Sequence, residues 1–446
     1  MRSRRIAGRC SGPALAAALL ALLVAAPAHA AEKALWGPAV LPDGRSAFGL
    51  YEELGIDTLQ FGLSWADIAR TRPATPTDPA DPAYRWPSDV DAAASQAPAR
   101  AIRLSLLVSQ SPPWANGNRA PTYAPADPQD YADFLTAAAR RYPVVRRWMI
   151  WGEPNRADRF QPNARNGRAG PRAYALLLDR AYAALKAQSP SNKVIGGNTW
   201  TSGTVKPPDF LRFMRLPSGR APRLDWFGHN PFPFRGPDLS KQPLPGGFRD
   251  ISDTDTLSAE VRRVYGRRVP LWLSEYTIQS DHGSSVFATF VSRALQAEYL
   301  TRGYAIGDEL GPAVAGVGWL ALLDEPPAPD GANWGLLTHA LRRKPAFGAM
   351  RRAPSERLRP AVRVARTVAR VTLRRRGLLL RVTPKAAGQV TVELRSGAVA
   401  RARARAPGVA GRRRSVRLRA SLRPGSYTVI VRAARATSVQ RLLRVR

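Results

Sequence analysis

The sequence predicts an α/β protein, a (β/α)₈ TIM barrel followed by a small all-β sandwich domain. Three observations carry that expectation. Eight short apolar runs alternate with stretches of helical spacing between Ala34 and Met350. No Gly-rich phosphate loop follows the first run, which disfavours a doubly wound open sheet. After Pro354 the pattern changes to short alternating segments separated by turn signals such as Pro424-Gly425.

In order, the runs are Ala34–Val40, Thr58–Trp65, Ile102–Ser109, Trp148–Glu153, Lys193–Gly197, Leu224–Asn230, Val269–Tyr276 and Val314–Leu320. Between them, Asp130–Arg140, Pro171–Gln188 and Phe287–Gly303 have helical spacing, Pro171 standing where a first helical turn tolerates proline. Ser88-Asp-Val-Asp91 resembles a capping box with Asp in place of Glu. Long loops at Arg70–Pro87, Ser111–Pro128 and Pro231–Gly247 all follow strands, so in a barrel they fall on the catalytic face.

Residues 1–30 read as a signal peptide. Arg2, Arg4, Arg5 and Arg9 precede an apolar stretch, Ala14–Ala26, too short to span a bilayer comfortably, and Ala28-His29-Ala30 is a cleavage signal. The barrel is expected over 31–353 and the sandwich over 354–446. The mature chain would be secreted, extracellular or cell-wall associated, with no transmembrane anchor. Cys10 is the single cysteine and leaves with the leader, so thiolate catalysis, zinc–thiolate sites and disulfides are excluded. Of the formal charge of +35, about +23 lies from Ser355 onward, nearly all arginine. Scattered over strands in an exported chain, those arginines suit an anionic cell-wall polymer better than nucleic acid.

Glu153 closes the fourth run in "RRWMIWGEPN", and Glu275 closes the seventh in "VPLWLSEYTIQ". Carboxyl ends of parallel strands are where barrel enzymes build their sites, and strands four and seven face each other across the mouth. Two carboxyl groups there can flank one bond. Glycoside hydrolysis needs that arrangement: one group protonates the leaving oxygen, and the other attacks the anomeric carbon or activates water. The scattered histidines give no metal-ligand spacing, and no nucleophile elbow is present, so neither metal nor cofactor is expected.

"WMIWGEPN" resembles the Asn-Glu-Pro motif of the clan A glycoside hydrolases, of the family 5, 39 and 42 type. "LWLSEY" is similar to their nucleophile segment and "DWFGHNPFPF" to their strand-six His motif. "VGWLALLDE" resembles their eighth strand with its substrate-platform Trp, and "NWGLLTHALRRKPAF" their closing segment. The resemblance covers about Ala34–Met350. It implies a retaining hydrolase acting on a carbohydrate substrate, with Glu153 as acid/base, Glu275 as nucleophile and carboxyl groups about 5–5.5 Å apart. The chain departs from the pattern at Gly152, where Asn is usual, at Phe232, near the place of a Tyr, and in lacking an Arg near the end of strand two. Those departures support a second reading, a catalytically impaired carbohydrate-binding barrel. His229 reads either as a substrate contact or as a satisfied core histidine. Asn155 and the strand-end or loop tryptophans Trp65, Trp114, Trp319 and Trp334 are the remaining candidates for sugar binding, each weighed against packing.

Overall fold

The computed structural model describes residues 31–446, except 166, 285–286, 328–330, 356–361, 366–377, 385–386, 397–398, 410–411, 413, 419–424, 434–438 and 446. The leader expected at residues 1–30, with Cys10, lies outside the described residues.

Eight parallel strands close into a barrel. They are β1 (Glu32–Trp36), β2 (Thr58–Ser64), β3 (Arg103–Ser109), β4 (Arg147–Ile150), β5 (Lys193–Trp200), β6 (Trp226–Asn230), β7 (Leu271–Tyr276) and β8 (Val314–Trp319). Each pairs with its sequence neighbours, and β1 pairs with β8 to complete the circle. The strands are apolar nearly throughout because both their faces are covered, by the barrel interior and by the helices outside. Ala34, Met149, Ile195, Trp272 and Ala315 fill the barrel axis, with Trp36, Leu107 and Trp226 packed against them. A far larger cluster lies between strands and helices.

Polar groups tie the closure. Lys33 is buried and its Nζ donates to the carbonyls of Leu54 and Met350, each at 2.9 Å, joining the first strand to the last barrel helix, Pro345–Arg352. Glu32, at the start of β1, accepts from Arg147 of β4 at 2.8 Å and from Thr58 of β2 at 2.6 Å. These bonds satisfy a buried carboxylate and a buried guanidinium together.

Several boundaries differ from the sequence expectation. The fourth strand stops at Ile150, and Glu153 lies in the turn beyond it. The helix expected over Phe287–Gly303 runs instead from Arg293 to Glu309, with the Ser292 hydroxyl accepting from the Leu295 N–H as its cap. Ser88 begins a helix, Ser88–Gln96, but makes no capping bond. Pro171 is the third residue of its helix, Ala169–Gln188. Its missing N–H costs nothing there, because the first turn has no intrahelical acceptor to offer.

Beyond the barrel, seven strands form two antiparallel sheets: β9 (Val362–Ala365), β10 (Leu378–Pro384) and β13 (Arg414–Leu418) in one, and β11 (Gly388–Ser396), β12 (Val399–Gly408), β14 (Gly425–Ala433) and β15 (Val439–Val445) in the other. The arginine alternation at Arg401–Arg405 lies on β12, where Arg403 pairs across the ladder with buried Glu393 at 2.6 Å. Among the described residues no helix is long and apolar enough to cross a membrane.

Replacing Glu32 by Ala would leave Arg147 buried without its partner. Urea unfolding is expected to show a loss of about 3–5 kcal/mol. A change within ordinary surface scatter would mean water takes over the guanidinium.

Candidate active site

The turn after β4 places the first carboxylate. Trp151 and Glu153 both have positive φ, 60° and 50°. Side chains of that size rarely take this conformation, so surrounding bonds must hold it. The Trp151 N–H donates to Val108 of β3 at 2.9 Å, and the Glu153 N–H donates to Asn198 of β5 at 3.0 Å. The Asn198 amide in turn donates to the carbonyls of Ile150 and Trp151, at 3.1 and 2.9 Å. Neighbouring strands on both sides therefore clamp the turn that turns Glu153 into the barrel mouth.

Glu275 comes from the end of β7, and Asn230, the last residue of β6, stands between the two acids. The Asn230 Nδ2 donates to Glu153 Oε1 at 3.2 Å, and the same side chain lies close enough to Glu275 to favour its charged form. Its Oδ1 accepts from the Ser274 hydroxyl at 2.6 Å, which fixes the NH₂ end toward the carboxylates. The floor beneath them is polar as well as apolar: Trp36 Nε1 and Gln60 Nε2 both donate to the Ser274 carbonyl, at 2.8 and 2.9 Å.

Electrostatics separate the two acids. Burial pushes the Glu275 carboxyl up to about 8, and the negative charge of Glu153 adds to the rise. Glu153 faces cations: Arg156 Nη1 lies 2.7 Å from its Oε2, and Arg159 Nε lies 3.9 Å away. At neutral pH the Glu275 carboxyl is accordingly protonated.

The other expected site residues have different fates. His229 is buried, sharing a 2.8 Å hydrogen bond with the Thr199 hydroxyl through Nδ1 and meeting the Arg249 carbonyl at 2.8 Å through Nε2. Desolvation lowers its pKa to about 4, so it is neutral. It is the satisfied core histidine of the two alternatives. Period-two alternation on β6 turns Asn230 to the opposite face, toward the acids. Asn155 is fully buried and spends its amide on backbone, accepting from the Trp200 N–H at 2.8 Å and donating to the carbonyls of Trp200 and Val205 at 3.1 Å each. It joins the loop after β4 to the loop after β5 and has no group left for a sugar. Gly203 is obligatory beside it: its φ is +74°, and a Cβ there would lie 2.1 Å from the Asn155 Nδ2.

Trp65 corrects the expectation most plainly. It is fully buried, stacked on Phe134 at 5.7 Å and edge-on to Trp114 at 5.5 Å, so it is core. Trp319 is also fully buried, its Nε1 donating to the Trp334 carbonyl at 2.9 Å. Trp334 is nearly covered, and Trp114 is half-buried with the Arg72 guanidinium 4.5 Å above its ring. The half-buried strand-end aromatics near the acids are Trp36 and Trp200. At Gly152, a Cβ would stand 3.2 Å from Leu107 Cδ2, so no side chain fills the usual Asn place.

No protein-family model and no curated protein sequence matches this chain. Solved structures do. A family 39 glycoside hydrolase from the gut symbiont Bacteroides cellulosilyticus WH2 superposes with a TM-score of 0.53 at 15% identity, covering 88% of this chain and 81% of that one. The family 39 enzyme from Xanthomonas axonopodis pv. citri gives 0.52 at 17%, covering 93% and 94%. A glucosidase from Croceicoccus marinus gives 0.54 at 12%, covering 94% and 97%. The chain thus shares the (β/α)₈ barrel fold of these glycoside hydrolase structures over most of its length.

Two measurements check this electrostatic arrangement. Glu275 is protonated in the folded chain between its ordinary value of 4.5 and about 8, while the unfolded chain loses that proton. Folding stability therefore falls as pH rises through this window. Glu275→Gln should be more stable than the parent at about pH 8, with the advantage gone below about pH 4.5, read from urea midpoints; a difference independent of pH would contradict the raised carboxyl. Asn230→Ala removes a group that favours the charged form of Glu275, so ionisation of that carboxyl, followed by the infrared carboxylate band, should move to higher pH. An unmoved titration would show that the amide does not act on Glu275.

Proposed function

We propose that this protein is an exported retaining glycoside hydrolase that cleaves O-glycosidic bonds of a poly- or oligosaccharide. The convergence of Glu153 and Glu275 on Asn230 at the barrel mouth carries the reading. In the productive state the pair's single proton stands on Glu153 and Glu275 is ionised. Glu153 gives that proton to the glycosidic oxygen as the Glu275 oxygen bonds to the anomeric carbon. The leaving sugar departs neutral. Glu153, now charged, takes a proton from water, and the water oxygen displaces Glu275 from the sugar. Asn230 steadies whichever carboxylate is charged at each stage, and Trp36 offers an apolar face to a sugar ring, as Trp200 does once the Arg156 guanidinium moves off it. The arginine-rich sheets after Pro354 would hold the enzyme to an anionic wall polymer.

Glu275→Ala should abolish turnover of aryl glycosides across a glycan panel. Glu153→Ala should lower it by roughly 10²–10⁴-fold, least for the best leaving groups. A 2-fluoro glycoside should label Glu275, seen by peptide mass spectrometry. Sugar binding without hydrolysis by the parent would favour instead the impaired, carbohydrate-binding reading that Gly152 and Phe232 suggest. Parental turnover in the Glu275 variant would remove the nucleophile assignment.

A further inference from the structure

Arg156, three residues along the chain from Glu153, lies against that acid. It bonds Glu153 Oε2 with Nη1 at 2.7 Å, bonds Asp158 with Nε at 3.0 Å and Nη2 at 2.5 Å, and lays its guanidinium 4.6 Å over the Trp200 ring. The two oxygens of Glu153 therefore look in opposite directions. Oε1 faces Asn230 and the Glu275 side, whereas Oε2 faces Arg156 and Trp200. In an acid/base carboxyl whose partner attacks from the Glu275 side, the Arg156 side is where the leaving sugar sits.

Arg156 is also placed to exchange partners. Its side chain is 22% exposed and that of Asp158 is 61% exposed, so the Asp158 contact is a solvent-screened pair of little net strength. The surrounding loop is rich in positive charge: from Glu153 to Arg168 it carries four arginines, Arg156, Arg159, Arg165 and Arg168, against two acids. Lys206, from the loop after β5, adds another cation and is close enough to Arg165 for that charge to oppose its protonation. A planar fork with an aromatic beneath it suits a carboxylate or sulfate on a sugar ring.

Resting on the hydrolase reading above, we propose that Arg156 selects an anionic sugar on the leaving-group side, and that engaging that anion releases Glu153 to take the catalytic proton. The exchange balances. The Arg156–Glu153 ion pair opens, the guanidinium pairs with the substrate anion, and the single proton of the carboxyl pair passes from Glu275 to Glu153. Nothing else is consumed. The groups facing Glu153 are Arg156 and Arg159 from its own loop, the uncharged Asn230 from β6 and Glu275 from β7. Arg159, at 3.9 Å, leaves Arg156 as the dominant partner. While Arg156 stays on Glu153, it occupies the Oε2 oxygen that faces the leaving sugar. The Trp200 face stays covered until the guanidinium moves.

The test uses the intact chain with Arg156→Gln and Arg156→Lys. Binding of a triuronate, a sulfated trisaccharide and a neutral trisaccharide is followed by calorimetry. The parent should prefer at least one anionic probe by tenfold or more, which identifies carboxylate or sulfate as the recognised group. Arg156→Gln should lose that preference while keeping its affinity for the neutral sugar, and Arg156→Lys should recover part of it. In kinetics on a neutral aryl glycoside, Arg156→Gln should shift the alkaline limb of kcat/KM upward by roughly one on the pH scale, because removing a cation makes the acid easier to protonate. A purely structural arginine would leave that limb in place. Equal preference in parent and Gln variant, or an unmoved limb, would overturn the proposal. Anion preference that depends on Arg156 in a chain that hydrolyses nothing would keep the anionic subsite, and overturn both the release of Glu153 for catalysis and the hydrolase reading.

Discussion

The site depends on Asn230. Its amide donates to Glu153 and stands beside Glu275, and the Ser274 hydroxyl holds that amide in its useful orientation. Only a closed ring of parallel strands brings the ends of β4, β6 and β7 to a common point. The bonds that close the ring, from Lys33 to the last barrel helix and from Glu32 to β2 and β4, therefore support the chemistry at the other end of the strands. The strained turn carrying Glu153 is sustained in the same way, by backbone bonds from β3 and β5.

Two like charges cannot both stand in such a place at low cost, and surrounding groups divide them. Burial and the neighbouring charge favour the proton on Glu275, while the Arg156 and Arg159 guanidiniums stand 2.7 and 3.9 Å from Glu153. This resting distribution is the reverse of the one a retaining hydrolase uses in its first step. One proton and a movable guanidinium are enough to invert it, because the two acids form a coupled pair rather than two independent groups. In the proposed reading the same arrangement would join substrate recognition to protonation, since the cation that would bind an anionic sugar is the one that lies against the acid.

Much of the architecture was legible before any coordinates. Strand–helix alternation carries the barrel, since each strand must be apolar on both faces and each helix on one, and the change of period after Pro354 marks the second domain. Glu153 and Glu275 were legible for the same reason: each follows an apolar run that cannot end elsewhere than at the barrel mouth. Less legible were the side chains' neighbours. Trp65, Trp319 and Asn155 sit where a sugar contact would be expected, yet all three are buried, because packing between loops leaves no mark in the local sequence. His229 was singled out and Asn230 beside it was not, although alternation along a strand sends adjacent residues to opposite faces, and only one of those faces holds the acids.

The sequence by itself determined the fold class and the two carboxylates, because hydrophobic periodicity and strand ends are local properties of the chain. Tertiary structure alone decided that Asn230 of β6 and Ser274 of β7 stand beside those carboxylates, and which aromatic rings remain half-exposed near them. Those relations depend on distances between segments far apart in sequence, and such distances exist only once the barrel has closed.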